Sequence, residues 1–269
     1  MKQIGQTLKY LLLSSLLFIS SCKTVPLTGR SQLRLIPSST MLSISTSQYR
    51  DFIKSHPLSR NRKATAMVKR VGKRIQHAVE KFMRAKGLQS ELKDYHWEFN
   101  LVKSKEANAW AMPGGKVVVY SGILKYTKNE QGLAVVLGHE ISHAIAHHGE
   151  ERASQELARS AGGLALSAVL KNKSASSKKL WLTAYGVGTQ FGVMLPFSRS
   201  HESEADHLGL IFMSMAGYDP HAAPKFWQDF SNKGRQSVPE FFSTHPSNQT
   251  RIKDLKSWIP EAMKYYRKK

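Results

Sequence analysis

His139-Glu140-Ile141-Ser142-His143 brings together the side-chain types that metal-assisted hydrolysis needs, at a spacing that can serve it. On a helix, residues four apart lie on one face, one turn above the other. Two imidazoles so placed can converge on one zinc ion, with about 2.0–2.1 Å from the metal to each nitrogen. Glu140 points to the flank of that pair, where its carboxylate can take a proton from water acidified by the ion. The pentapeptide sits in a helical pattern whose buried stripe is Leu133, Val136, Leu137, Ile141, Ala144 and Ile145. Asn129 is placed to cap that helix and Gly149 to end it. His147 continues the same face, but it lies eight residues from His139, roughly 12 Å along the axis, so the two cannot share an ion. His147 and His148 read as polar residues near the helix end, where positive charge is favoured.

A third ligand has to come from another segment. Ser198-Arg199-Ser200-His201-Glu202-Ser203-Glu204-Ala205-Asp206 offers the carboxylates. Glu202 and Asp206 are four apart on one helix face. Glu202 could ligate while Asp206 receives the free N–H of a ligating histidine, which fixes its tautomer and ring orientation. Glu204 points to another face and is the less economical choice, although spacing alone leaves it open.

These groups need a scaffold, and the pattern of the chain predicts one. Helices are expected over 38–54, 60–85, 129–149, 150–170, 181–195, 201–216, 220–231 and 247–257, with strands at 96–102 and 116–120. The turn Pro113-Gly114-Gly115 precedes the second strand. A polar loop is expected over 171–179. Leu180 to Phe197 carries no charge over 18 residues, enough to raise a membrane-spanning reading. A single span would put His143 and Glu202 on opposite sides of a bilayer, so the segment reads as a buried or groove-lining helix.

The chain of 269 residues is long enough for a disulfide-free core. Its 40 Lys+Arg against 19 Asp+Glu give a formal charge of +21. That balance permits anionic lipid as a partner. Nucleic acid is not favoured, because no basic stripe is interleaved with aromatic residues. Cys22 is the only cysteine, so an intrachain disulfide is excluded. A short basic start, an apolar run from Tyr10 to Ile19 and then Ser20-Ser21-Cys22 form a leader ending in small residues before a cysteine. That arrangement resembles the bacterial lipobox and implies cleavage before Cys22 with lipid attached there. Lys23 after it favours the outer over the inner membrane, with the protein facing the periplasm.

Several motifs together resemble the M48 family of zinc metallopeptidases, a gluzincin family, in its lipoprotein branch. They are His139 to His143; Ser198-Arg199 with Glu202, Glu204-Ala205-Asp206 and Gly209; Asn108 to Gly122; Ser243-Thr244-His245-Pro246 with Arg251; and Pro26-Leu27-Thr28-Gly29-Arg30. The resemblance implies an α+β, mainly helical zincin fold with a small sheet whose edge strand borders the active-site cleft. It implies one zinc ion per chain, held by His139, His143 and Glu202, with Glu140 as general base. It also assigns Lys116 to Tyr120 as the edge strand, binding extended substrate through Asn108, Gly115, Lys116, Val117 and Val118. His245 would either stabilise the oxyanion or sit on zinc as a fourth ligand in a closed state. Arg251 would pair with a carboxylate or with substrate. The expected organisation is a signal peptide over 1–21, a lipidated N-terminus with linker and first helix over 22–58, and a peptidase domain over 59–269. The substrates implied are unfolded or misassembled envelope proteins. A non-proteolytic envelope chaperone using the same groove is the rival reading, and the intact Glu140 weighs against it.

Overall fold

The structure, a computed structural model, describes residues 22–25, 28–231, 240–245 and 249–267. The leader over 1–21, with Pro26, Leu27 and Pro246, lies outside them. The chain divides into two compact units, one of residues 1–41 with 149–196 and one of residues 42–148 with 197–269.

The larger unit is built on apolar stripes. Helix α1 (Ser38–Ser55) crosses into it, and α2 (Arg62–Ala85) follows. Asn61 caps α2 by accepting from the Ala64 N–H at 3.0 Å, and Val68, Val71, Ile75, Val79 and Phe82 form its buried face. Strands β3 (Glu98–Val102), β4 (Ala109–Met112) and β5 (Lys116–Tyr120) make one sheet in the order β3-β5-β4. The β3–β5 pair is parallel and the β4–β5 pair antiparallel. Pro113 and Gly114 make the tight connection between β4 and β5. The Gly115 N–H donates to the Met112 carbonyl at 3.2 Å, and Gly114 has φ 82, the left-handed conformation that the third position of a type II turn requires.

This order corrects the expected sheet edge. Lys116–Tyr120 is the central strand, hydrogen-bonded on both sides, so it has no free backbone for a substrate. Val117 and Val118 are fully buried. The Lys116 ammonium donates to Glu98 Oε1 at 2.6 Å and to the His96 carbonyl at 2.7 Å, and Gly115 lies against the Trp97 ring. The edge strand that packs on the motif helix is β4. Its Ala-Trp-Ala-Met sequence lacks the β-branched alternation that marks strands.

The motif helix α3 (Glu130–Ile145) is buried along nearly its whole length, and Asn129 caps it by accepting from the Gly132 N–H. It ends before Gly149. His147 takes the left-handed conformation, φ 56, and the next helix, α4 (His148–Val169), already contains Gly149. That conformation costs a non-glycine residue on the order of 1 kcal/mol. After α4 come α5 (Ala175–Thr189), a π-helical turn over Gln190–Met194, and α6 (Leu195–Met215). Pro196 lacks the N–H that would continue the ladder at this point. Helices α7 (Ala222–Ser231), α8 (Glu240–Thr244) and α9 (Gln249–Met263) complete the chain.

Helices α3 and α6 cross at a glycine pair. A Cβ on Gly138 would lie 2.9 Å from the Gly209 carbonyl oxygen, and one on Gly209 would lie 2.9 Å from the His139 nitrogen. Only glycine allows this approach, and it occurs one residue from His139 and three from Asp206.

In the smaller unit, strands β1 (Cys22–Thr24) and β2 (Ser31–Leu33) pair antiparallel. Arg30 forms a two-pronged ion pair with the buried Glu151 at 2.7 and 3.0 Å, and Arg34 pairs with the buried Glu150 at 2.6 Å. Helices α4 and α5 form a hairpin in which Tyr185 lies over Gly162 and donates to the Arg159 carbonyl at 2.9 Å. The expected polar loop is shorter than 171–179, because Ser174 caps α5 by accepting from the Ser177 N–H. The uncharged segment from Leu180 is not buried: α5 contains no buried residue. Among the described residues, no helix is long and apolar enough to cross a membrane.

Candidate metal centre

His139 and His143 project from one face of α3, and Glu202 and Asp206 from α6. Helix α8 brings His245 to the same place, with its N–H bonded to the Phe241 carbonyl at 3.0 Å and its ring against Phe241. One donor atom from each of His139, His143, Glu202 and His245 lies within 4.8 Å of the others. His139 Nε2 is 3.1 Å from both His143 Nε2 and His245 Nδ1. The Glu202 oxygens are 3.3 Å from each of the His139 and His143 Nε2 atoms, and 2.8 Å from His245 Nδ1. Donors around one tetrahedral zinc at about 2.0–2.1 Å stand about 3.3 Å from one another. The cluster therefore fits zinc in both donor chemistry and spacing. Glu140 is buried beside it, with Oε1 3.5 Å from His245 Nε2.

The carboxylates face the histidines in a dry setting. Burial disfavours a charge on Glu202, but His139, His143 and His245 outweigh it and hold the carboxyl well below the usual range. Asp206 is also held down: the Arg251 charge and His139 overcome its burial. Burial pushes His139 down, yet the Glu202 charge and the Asp206 bond win and raise it to about 9. His143 is lowered chiefly by burial. Ionised carboxylates buried among imidazoles make a site that calls for a cation.

His139 and His143 each have the second ring nitrogen engaged. His139 Nδ1 meets Asp206 Oδ1 at 2.9 Å, the arrangement expected from the sequence. His143 Nδ1 meets His148 Nδ1 at 2.8 Å, and His148 Nε2 meets Glu204 Oε2 at 2.9 Å. This corrects the reading of His148 as a helix-end residue, because its ring is fully buried and stacks on His201. Glu204 likewise acts one step removed from the donor cluster. The break at His147 turns His148 back toward His143, a geometry that helical periodicity does not reveal. His148→Ala is expected to weaken zinc binding by roughly 10–100-fold while the protein stays folded. Competition with a chromophoric chelator measures this, and an unchanged affinity would refute the role.

Arg251 is not a surface arginine, and of its two expected partners it takes a carboxylate. It is buried, its Nη2 donates to Asp206 Oδ1 at 2.6 Å, and its Nη1 donates to the His245 carbonyl at 3.2 Å. Its guanidinium stacks on the Trp227 ring, 3.4 Å from the centroid. It therefore braces Asp206 and the His245 backbone together. Asn108 stands at the start of β4; its carbonyl accepts from the Tyr120 N–H and its side chain from the Ala109 N–H.

Comparison with known proteins agrees with this geometry. The sequence profile of Peptidase family M48 matches residues 69–259. The chain is 39% identical over 175 residues to the mitochondrial metalloendopeptidase OMA1 of Schizosaccharomyces pombe, covering 64% of this chain and 50% of that protein. It is 30% identical over 264 residues to the mitochondrial metalloendopeptidase OMA1 of Bos taurus, covering 94% of this chain and 49% of that protein. It is 35% identical over 167 residues to the beta-barrel assembly-enhancing protease of Escherichia coli K12, covering 60% of this chain and 34% of that protein. The chain thus spans a third to a half of the length of these curated relatives.

Proposed function

The chain belongs to peptidase family M48, whose members use zinc, and on that premise we propose that it is a metalloendopeptidase of the bacterial cell envelope. The observation that carries the reading is the convergence of His139, His143, Glu202 and His245 on one point beside Glu140. Zinc held there supplies Lewis acidity, which polarises a scissile carbonyl and lowers the pKa of water to about 7.

The residues divide the remaining work. His139, His143 and Glu202 hold the ion, and Asp206 and His148 fix the two rings. Glu140 takes a proton from the attacking water and returns it to the leaving amine. His245 would add a fourth donor through Nδ1, since that atom lies 3.1 Å from His139 Nε2 and 2.8 Å from Glu202, and would then occupy the position that a catalytic zinc keeps for water or substrate. Swinging His245 out admits substrate and frees its ring to meet the oxyanion. An extended substrate pairs with the outer edge of β4, backbone to backbone, a mode that reads an unfolded chain more than a particular side chain.

Misfolded or stalled envelope proteins are the proposed substrates, a class suggested by the similarity to a protease that enhances β-barrel assembly. The envelope location rests on the leader and the lipobox pattern at Cys22. Digestion of unfolded casein by the purified protein tests the activity: cleavage should stop with a zinc chelator and return with added zinc. Cleavage indifferent to the chelator would end the proposal. Cys22→Ser should abolish incorporation of labelled lipid in cells, and undiminished labelling would remove the anchor.

A further inference from the structure

The hairpin of α4 and α5 is the largest feature that the peptidase reading leaves unused. The apolar side chains of the hairpin and of the π-helical turn after it face water: Leu164 is 74% exposed, Leu180 67%, Trp181 57% and, in the turn, Phe191 66%. Val169 and Val187 in the hairpin and Val193 in the turn are exposed as well. Helix α5 has 15 residues, none of them buried. An isolated helix of that length is marginal in water, and its stability comes from covering an apolar face. Large apolar side chains exposed together on one element mark an interaction site.

Charge identifies what covers it. No acidic residue occurs between Glu156 and Glu202, while Arg159, Lys171, Lys173, Lys178 and Lys179 all lie in the hairpin. Four of these lysines cluster at the tip, where α4 turns into α5. Apolar side chains among cations without acids match an anionic bilayer surface, where acyl chains take the Leu, Trp and Phe and headgroups take the lysines. Each lysine near such a surface adds about fivefold in partitioning. A second copy is a poor match, because pairing through this face would bring two cationic, acid-free surfaces together. Strands β1 and β2, which begin at Cys22, are tied to the base of α4 through Arg30–Glu151 and Arg34–Glu150.

We infer that the α4–α5 hairpin is a membrane-docking element that inserts shallowly into anionic lipid. It lies in the interface without spanning it, in accord with the length criterion above. The attachment is separate from catalysis and from the lipid proposed on Cys22.

Trp181 provides a local reporter, since Trp97, Trp110, Trp227 and Trp258 lie outside the hairpin. The full-length protein is mixed with phosphatidylcholine vesicles brominated on the acyl chains, with or without phosphatidylglycerol. Tryptophan emission should be quenched strongly on the anionic vesicles and weakly on the neutral ones. Trp181→Phe should remove that quenching, and changing Lys171, Lys173, Lys178 and Lys179 together to Gln should reduce it to the neutral-vesicle level. Any of three results overturns the inference: quenching that survives Trp181→Phe, equal quenching on neutral and anionic vesicles, or an unquenched protein that self-associates through Trp181.

Discussion

Glu140→Gln is expected to keep its zinc and lose at least 10²–10⁴-fold in hydrolysis of an unfolded protein, the range attributed to one general base. Gln has nearly the same shape as Glu but cannot accept the proton. Glu140 is not one of the four converging donors, so replacing it leaves the ion's ligands intact. Elemental analysis should therefore give wild-type zinc content alongside a collapsed rate. Two results would revise the assignment. Zinc loss would make Glu140 part of the metal's support, and full activity would move the base elsewhere.

Glu202→Ala is expected to have the largest effect on the metal. It removes the only carboxylate among the converging donors and leaves two imidazoles on α3 with no charged partner at the ion. Affinity should fall well beyond the roughly 10–100-fold typical of a supporting residue, and the purified variant should carry almost no zinc. Glu204→Ala is the control. Glu204 touches His148 and not the donor cluster, so its loss should weaken zinc only modestly. Spacing left these two carboxylates as alternatives, and the structure separates them by position: Glu202 faces His139, His143 and His245, whereas Glu204 faces His148. Zinc retained in Glu202→Ala and lost in Glu204→Ala would reverse the assignment.

How much was legible from the residues depends on the range of the interaction. The His139–His143 pair and the Glu202–Asp206 pair follow from helical repeat, which is local and regular. Caps at Asn129 and the long stripe of α2 are readable for the same reason. The role of His148 is not legible in the sequence, because it depends on a single left-handed residue, His147, where no glycine signals a break. Gly149, two residues later, suggested a continuous helix instead. Strand order is non-local: β5 is the most strand-like segment, yet it sits in the middle because the weakly patterned β4 folds back against it. Arg251 shows the converse. Its pairing with Asp206 joins α6 to α9 across the fold, and no periodicity connects residues so far apart. The apolar segment from Leu180 was expected to be covered by protein, since apolar residues usually are. Its exposure is a departure from that rule and the basis for the membrane inference.

The glycine crossing explains why the site is precise. With Gly138 and Gly209 in backbone contact, α3 and α6 are fixed close enough for His139 to reach Asp206 directly. Arg251 then locks Asp206 and the His245 carbonyl from behind. Ligand atoms supported this way need little rearrangement to hold an ion, which is what a designed metal site lacks most often.

Zinc titration of the metal-free protein, followed by cleavage of a fluorogenic unfolded substrate, tests the central claim most directly. Activity should rise in proportion to added zinc and level off at one ion per chain, with no such rise in Glu202→Ala. Activity already complete without zinc, or absent when the site is filled, would contradict the account.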